Sequence, residues 1–164
     1  MYEQASQKLA TDLWLLSLSG DRKLVPYLQT PFDEMAARFS PDGRWMAYQS
    51  NESGRFQVYV QTVPSGAKYQ ISTSGGTFPR WRRDGKELFY IGGGRIMAAS
   101  IRTSPGGIEV ETPRPLFAIS PIGSFFGYGY DVMPDGKRFL IIEPTSDDAD
   151  PLKVVSDWQS GIRK

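Results

Sequence analysis

Arg80, Trp81, Arg82 and Arg83, with Lys86 and Arg95 close behind, form the densest basic and aromatic cluster in the chain. Guanidinium groups pair with phosphates while an indole stacks on a base, which is the chemistry of single-stranded nucleic-acid binding. Strand alternation works against that use, because it turns Trp81 and its cationic neighbours to opposite faces. The whole chain carries 19 Lys plus Arg against 18 Asp plus Glu, a formal net charge of +1, so no general field draws a polyanion. Gly92-Gly93-Gly94 has the composition of a phosphate loop but lacks the Gly-Lys-Ser/Thr ending and a following helix, and reads as a hairpin turn. Asp147, Asp148 and Asp150 offer oxygens to calcium, yet no glycine sits at the sharp-turn position and no glutamate closes the loop; they read as a solvated connection.

Two residue types are missing altogether. With no His, the chain has no imidazole for a Ser-His-Asp or Cys-His mechanism, for a metal, or for a charge switch near neutral pH. With no Cys it has no thiolate chemistry and no disulfide, and stability must come from packing. A length of 164 residues at 40% hydrophobic content suits one globular domain. The 17 Gly and 12 Pro favour short strands joined by tight turns over helices.

The elements that position these residues repeat. FSPDGRWMAYQ from Phe39, WRRDGKELFYI from Trp81 and VMPDGKRFLII from Val132 align without gaps, and their turns Asp42-Gly43, Asp84-Gly85 and Asp135-Gly136 are spaced 42 and then 51 residues apart. Asp-Gly is the signature of a two-strand hairpin whose glycine takes a positive φ, so these six residues are read as structural turns. The runs after each turn, Met46 to Tyr48, Leu88 to Ile91 and Phe139 to Ile142, are apolar on both faces, as in a sheet covered on two sides. Phe39, Trp81 and Val132, three residues before each Asp, share one core position. Outer strands are expected at Leu24 to Leu28, Lys68 to Ser72 and Ile108 to Glu111, with Pro113 and Pro115 at an edge or loop.

The fold class predicted is all-β, a partial β-propeller of about three blades, each a four-stranded antiparallel sheet, in an open arc. Residues 1–11 form an N-terminal extension or truncated strand. Residues 12–30 form a half blade, 34–72 and 78–119 two blades, and 127–158 a three-stranded blade. The start reads as mid-domain, so upstream sequence is expected. Its apolar run Leu13 to Leu18 is far short of a membrane span, and localisation is left open. Arg38, Arg80 and Asp131 recur four residues before each Asp on the innermost strands and are the candidate channel or ligand contacts. Tyr128 and Tyr130 join them, spaced with Phe126 along one face of an inner strand.

ARFSPDGRWMAYQSNESGRFQVYVQTVPSG and FPRWRRDGKELFYI resemble the TolB-like, WD-repeat-like propeller repeats at the C-terminal end of bacterial receptor-type serine/threonine kinases, and the closing PLKVVSDWQSGIRK resembles the end of that family. The resemblance implies a sensing or protein-binding propeller with kinase chemistry upstream; no glycine-rich nucleotide loop, catalytic-loop Asp or Asp-Phe-Gly is present in this sequence. The expected function is non-catalytic recognition of a protein or peptide, with homo-oligomerisation through open blade edges. No cofactor, metal, nucleic acid or membrane contact is expected of this segment. The rivals are the propeller gate of a prolyl-oligopeptidase-like hydrolase without its catalytic domain, and a metal-dependent lactonase-like hydrolase.

Overall fold

A computed structural model describes residues 10–104, 106–120, 129–142 and 152–156, and these form fourteen strands with no helix. Strands β1 (Leu13–Leu16) and β2 (Leu24–Leu28) make an antiparallel pair. A four-stranded meander follows: β3 (Glu34–Phe39), β4 (Trp45–Ser50), β5 (Gln57–Thr62) and β6 (Lys68–Gln70). The next sheet runs β7 (Thr77–Trp81), β8 (Glu87–Gly92) and β9 (Arg95–Ser104), and the far edge of β9 is shared by β10 (Gly107–Val110) and β11 (Arg114–Ala118). The last sheet is β12 (Tyr130–Val132), β13 (Arg138–Ile142) and β14 (Leu152–Ser156). Gly93 and Gly94 both take positive φ, 58° and 70°, in the tight turn from β8 to β9, which is the hairpin role expected of the glycine run.

The doubly apolar runs are explained by stacking. Leu88, Tyr90, Ala99 and Ile101 pack against Trp45, Ala47, Val58 and Val60 of the preceding sheet. The opposite face of the same strands sends Phe89, Ile96 and Ala98 against Tyr130, Phe139 and Ile141 of the following one. A sheet with a neighbour on each side therefore buries successive residues, as β4 does along its whole length. Where the arc ends, alternation returns: in β13, Phe139 and Ile141 are buried while Leu140 and Ile142 are 48% and 54% exposed. The third apolar run is thus covered on one face only, a correction to the two-sided reading.

Phe39 also departs from the shared core position, since it is 54% exposed whereas Trp81 packs on the core between the first two full sheets. Each of these residues faces the preceding sheet, opposite Met46 and Leu88 respectively. The sheet before Phe39 is the two-stranded β1–β2 pair, which among the described residues supplies no inner strand to cover it.

The outer strand expected at Ile108 to Glu111 lies elsewhere. The strand beside β9 in the body of the sheet is β11, with Pro115 at its edge next to a bulge, where a missing N–H removes no ladder bond. β10 is instead the return strand of a hairpin arm, pairing with Ile101 to Ser104 at the tip of β9. Ile108 and Val110 lay the arm on the preceding sheet, and Gly107, at φ 135°, touches the Tyr69 hydroxyl closely enough that a Cβ there would lie 2.1 Å from it. This arm adds residues between β9 and β11 that the preceding blade lacks between β5 and β6, and is one contribution to the longer second period in the sequence.

Glu34 at the start of β3 is fully buried. Its Oε1 accepts hydrogen bonds from Thr30 Oγ1 (2.6 Å) and Ser50 Oγ (3.2 Å), while Oε2 has no hydrogen-bond partner among the described residues. Desolvation, joined by the charges of Asp12 and Glu52, raises its pKa above the ordinary 4.5, against the opposing hydrogen bonds. The folded chain then holds a proton that the unfolded chain has lost. The associated stability is full below 4.5 and drains away as pH rises through the higher folded value. Glu34→Gln is therefore expected to raise the melting temperature, relative to wild type, more at pH 8 than at pH 4.5. Parallel melting curves for the two proteins across that range would contradict the assignment.

Candidate functional site

Arg38, Arg80 and Asp131 stand at one register position, opposite Ala47, Phe89 and Leu140. The structure brings two of them together with Tyr130. The Arg80 guanidinium, its side chain 10% exposed, lies 3.6 Å from Asp131 and over the Tyr130 ring, and also donates to the Pro79 carbonyl at 3.0 Å. Arg38, one seam earlier, donates to the Ala37 carbonyl at 2.7 Å, and its own carbonyl accepts the Trp81 indole N–H at 3.2 Å. Tyr128 lies outside the described residues, as do Phe126, Asp147, Asp148 and Asp150.

Two residues before each arginine the inner strand bulges, and Ala36 and Phe78 take left-handed φ of 54° and 53°. The strain at Phe78 is held from both sides: its N–H donates to Gln49 Oε1 of the sheet before (2.9 Å), and its carbonyl accepts the Tyr130 hydroxyl of the sheet after (2.8 Å). Tyr130 is buried in full, which drives its phenol pKa strongly upward and keeps it a neutral donor. Tyr130→Phe is expected to cost about 1–2 kcal/mol in urea denaturation, the worth of one buried hydrogen bond. No measurable change would show that the bulge does not depend on that bond.

The three turns share one construction. Asp42, Asp84 and Asp135 accept the N–H of Arg44, Lys86 and Lys137 at 3.1, 3.0 and 2.9 Å. Gly43, Gly85 and Gly136 sit at φ near 70° and bond to the carbonyls of Ser40, Arg82 and Met133. The Ser40 hydroxyl, followed by Arg44, holds the Asp42 carboxyl down at about 2. The Arg82 guanidinium likewise lowers Asp84. The turns also form a continuous rim, since Gly85 rests against Pro41 and Gly136 against the stem of Arg82.

Between the first two turns the rim opens into a cleft of about 880 Å³. Trp81, Trp45 and Ile101 line it with apolar surface, Pro41 and Lys86 stand on its turns, and the arm contributes Arg102 and Glu111. The indole N–H of Trp45 is buried without an acceptor among the described residues. Reading the sequence alone missed this cleft, and the one signal for it was the longer second period. The basic cluster is divided by the fold. Arg82 is tied to Asp84 and Glu87, Arg80 lies in the next seam, and Arg83 and Lys86 reach the cleft. Among the described residues no group of three or more His, Cys, Asp or Glu side chains is placed to hold a metal ion.

Two solved structures are similar in architecture. An oligogalacturonate lyase from Vibrio parahaemolyticus superposes with a TM-score of 0.53 at 17% identity, over 80% of this chain and 36% of that one. A TolB-like protein from Agrobacterium tumefaciens gives a TM-score of 0.49 at 17% identity, over 60% of this chain and 40% of that one. The fold is a partial β-propeller, open and not closed. The four sheets are its blades, and the chain spans well under half the length of either similar protein. No family model and no curated protein sequence matches it.

Proposed function

We propose that this chain is a non-catalytic recognition module that binds a protein or peptide, and that it serves as the sensing portion of a longer protein such as the receptor-type kinases its repeats resemble. The observation that carries the reading is the rim cleft, assembled from two turns and an arm that belong to different parts of the sequence. A surface of that size, half apolar and rimmed by charge, suits a peptide segment better than a single small ion. Selection from a displayed peptide library, followed by calorimetry, tests it: saturable binding of selected peptides is expected, and failure to select any would overturn the reading. Catalysis on an oligogalacturonate, the activity named for one similar structure, is tested by incubation with trigalacturonate, where no cleavage is expected and product formation would refute the non-catalytic assignment.

Self-association belongs to the same proposal. The face of β13 that would meet a following blade exposes Leu140 and Ile142, and the face of β1 turned away from the next blade exposes Trp14 and Leu16. Inside the arc, faces of this kind are covered by another blade. A second copy stacking end to end supplies that cover by a head-to-tail contact. Light scattering at micromolar concentration is expected to show a mass above the 18.3 kDa of one chain, and a monomer there would refute it.

A further inference from the structure

We propose that the rim cleft between the Asp42-Gly43 and Asp84-Gly85 turns is a docking groove for an acidic, extended peptide, gripped by Arg83 and Lys86 above an apolar floor that includes Trp81. This deepens the recognition reading above and rests on it.

Charge commitments inside the groove carry the inference. Its carboxylates are already engaged: Asp42 with Ser40 and Arg44, Asp84 with Arg82, and Glu111 with Arg102 on the arm. The exposed side chains of Arg83 and Lys86 make no hydrogen bond or ion pair among the described residues, Lys86 acting on Asp84 only through its field, so the groove holds two cations without a contact partner while each of its carboxylates has one. A ligand carboxylate completes that arrangement, and complementary charge of this kind sets partner choice and encounter rate.

The floor selects the remaining chemistry. Trp81 is half-buried, with its indole N–H spent on the Arg38 carbonyl, so it presents ring surface and no donor. Pro41 extends that apolar surface, and the buried Ile101 supports it from beneath. A peptide alternating acidic and apolar side chains uses both features. A phosphate polymer carries charge at every unit and would meet Asp42, Asp84 and Glu111 along the walls. A sugar acid brings many hydroxyls to a floor whose Trp81 indole N–H is already spent.

The arm gives the groove its outer wall. It is absent from the preceding blade, whose β5 ends at Thr62, and it is seated by Ile108 and Val110 and by the close approach of Gly107 to Tyr69, so the wall is a packed part of the fold. A rigid wall spares the ligand the cost of ordering it.

The test uses the full chain and a fluorescein-labelled peptide of alternating glutamate and leucine, with fluorescence anisotropy as the readout. The wild type is expected to bind it saturably and to bind the matching glutamine–leucine peptide about tenfold more weakly or worse. The double variant Arg83→Glu/Lys86→Glu, both positions exposed and its fold checked by circular dichroism, is expected to lose at least as much. Lys23→Glu, a reversal remote from the groove, is expected to bind like wild type. Equal binding of the two peptides, equal binding by the double variant, or no saturable binding of the glutamate peptide by wild type would overturn the proposal. So would trigalacturonate binding that depends on Arg83 and Lys86 while the peptide does not bind. If library-selected peptides bind wild type and double variant alike, recognition stands and this groove falls.

Discussion

Replacing Phe89 by alanine is expected to lower the stability of the chain by about 3–5 kcal/mol, the usual cost of emptying a fully buried phenylalanine site. Phe89 has no exposed surface, and its ring meets Phe139 edge-on at 5.1 Å. Phe139 meets Phe117 in the same way at 5.2 Å, so one ring removed from this seam loosens a three-ring cluster. The loss is large against a total of about 5–15 kcal/mol for an ordinary domain. The last blade touches the rest of the described chain through this seam, so its amides should become the first to exchange in hydrogen-exchange measurements on the variant. A loss below about 1 kcal/mol, within the range of ordinary surface changes, would mean that the blades are not packed through Phe89.

Gly76→Ala should be nearly as damaging, for the opposite physical reason. A Cβ at Gly76 would stand 2.4 Å from Ser72 Oγ, 2.7 Å from Ser72 Cβ and 3.1 Å from a Val58 methyl. Ser72 cannot step aside without loss, because its buried hydroxyl accepts the Val58 N–H at 2.8 Å and donates to Gln57 Oε1 at 2.6 Å. Gln57 Oε1 in turn accepts the Gly75 N–H at 3.0 Å, so the whole joint between the two complete blades is disturbed. Overpacking of this kind costs about 1–3 kcal/mol, and the unmade hydrogen bonds place this case toward the upper end. A double-mutant cycle separates the causes. Ser72→Gly should destabilise less in the Gly76→Ala background than in wild type, because it removes the clashing atoms. Simple additivity of the two changes would contradict the clash.

Much of the fold was legible from local spacing. Each Asp-Gly turn closes through bonds spanning two or three residues, Asp carboxylate to the N–H two on and Gly N–H to the carbonyl three back, so the pattern DG between apolar runs is sufficient to place it. The candidate row was legible as a register and illegible as a site. Arg38, Arg80 and Asp131 do share a position, but the charge that meets Arg80 is Asp131, on the inner strand of the next blade, and no local spacing reveals that pairing.

The sequence by itself determined what chemistry is absent and how the hairpins repeat: a chain with no imidazole and no thiol, turning at three Asp-Gly corners on strands apolar in both directions. Only the tertiary structure decided which apolar positions are covered and which cations are spoken for. Phe39 and Trp81 carry the same local instruction and differ because one has a full blade beside it and the other a half. Arg82 and Arg83 are adjacent in the chain, yet the turn after β7 sends one toward Asp84 and Glu87 and the other into the cleft. Burial and charge pairing depend on what packs against a residue, and in a stacked repeat that neighbour comes from the next unit.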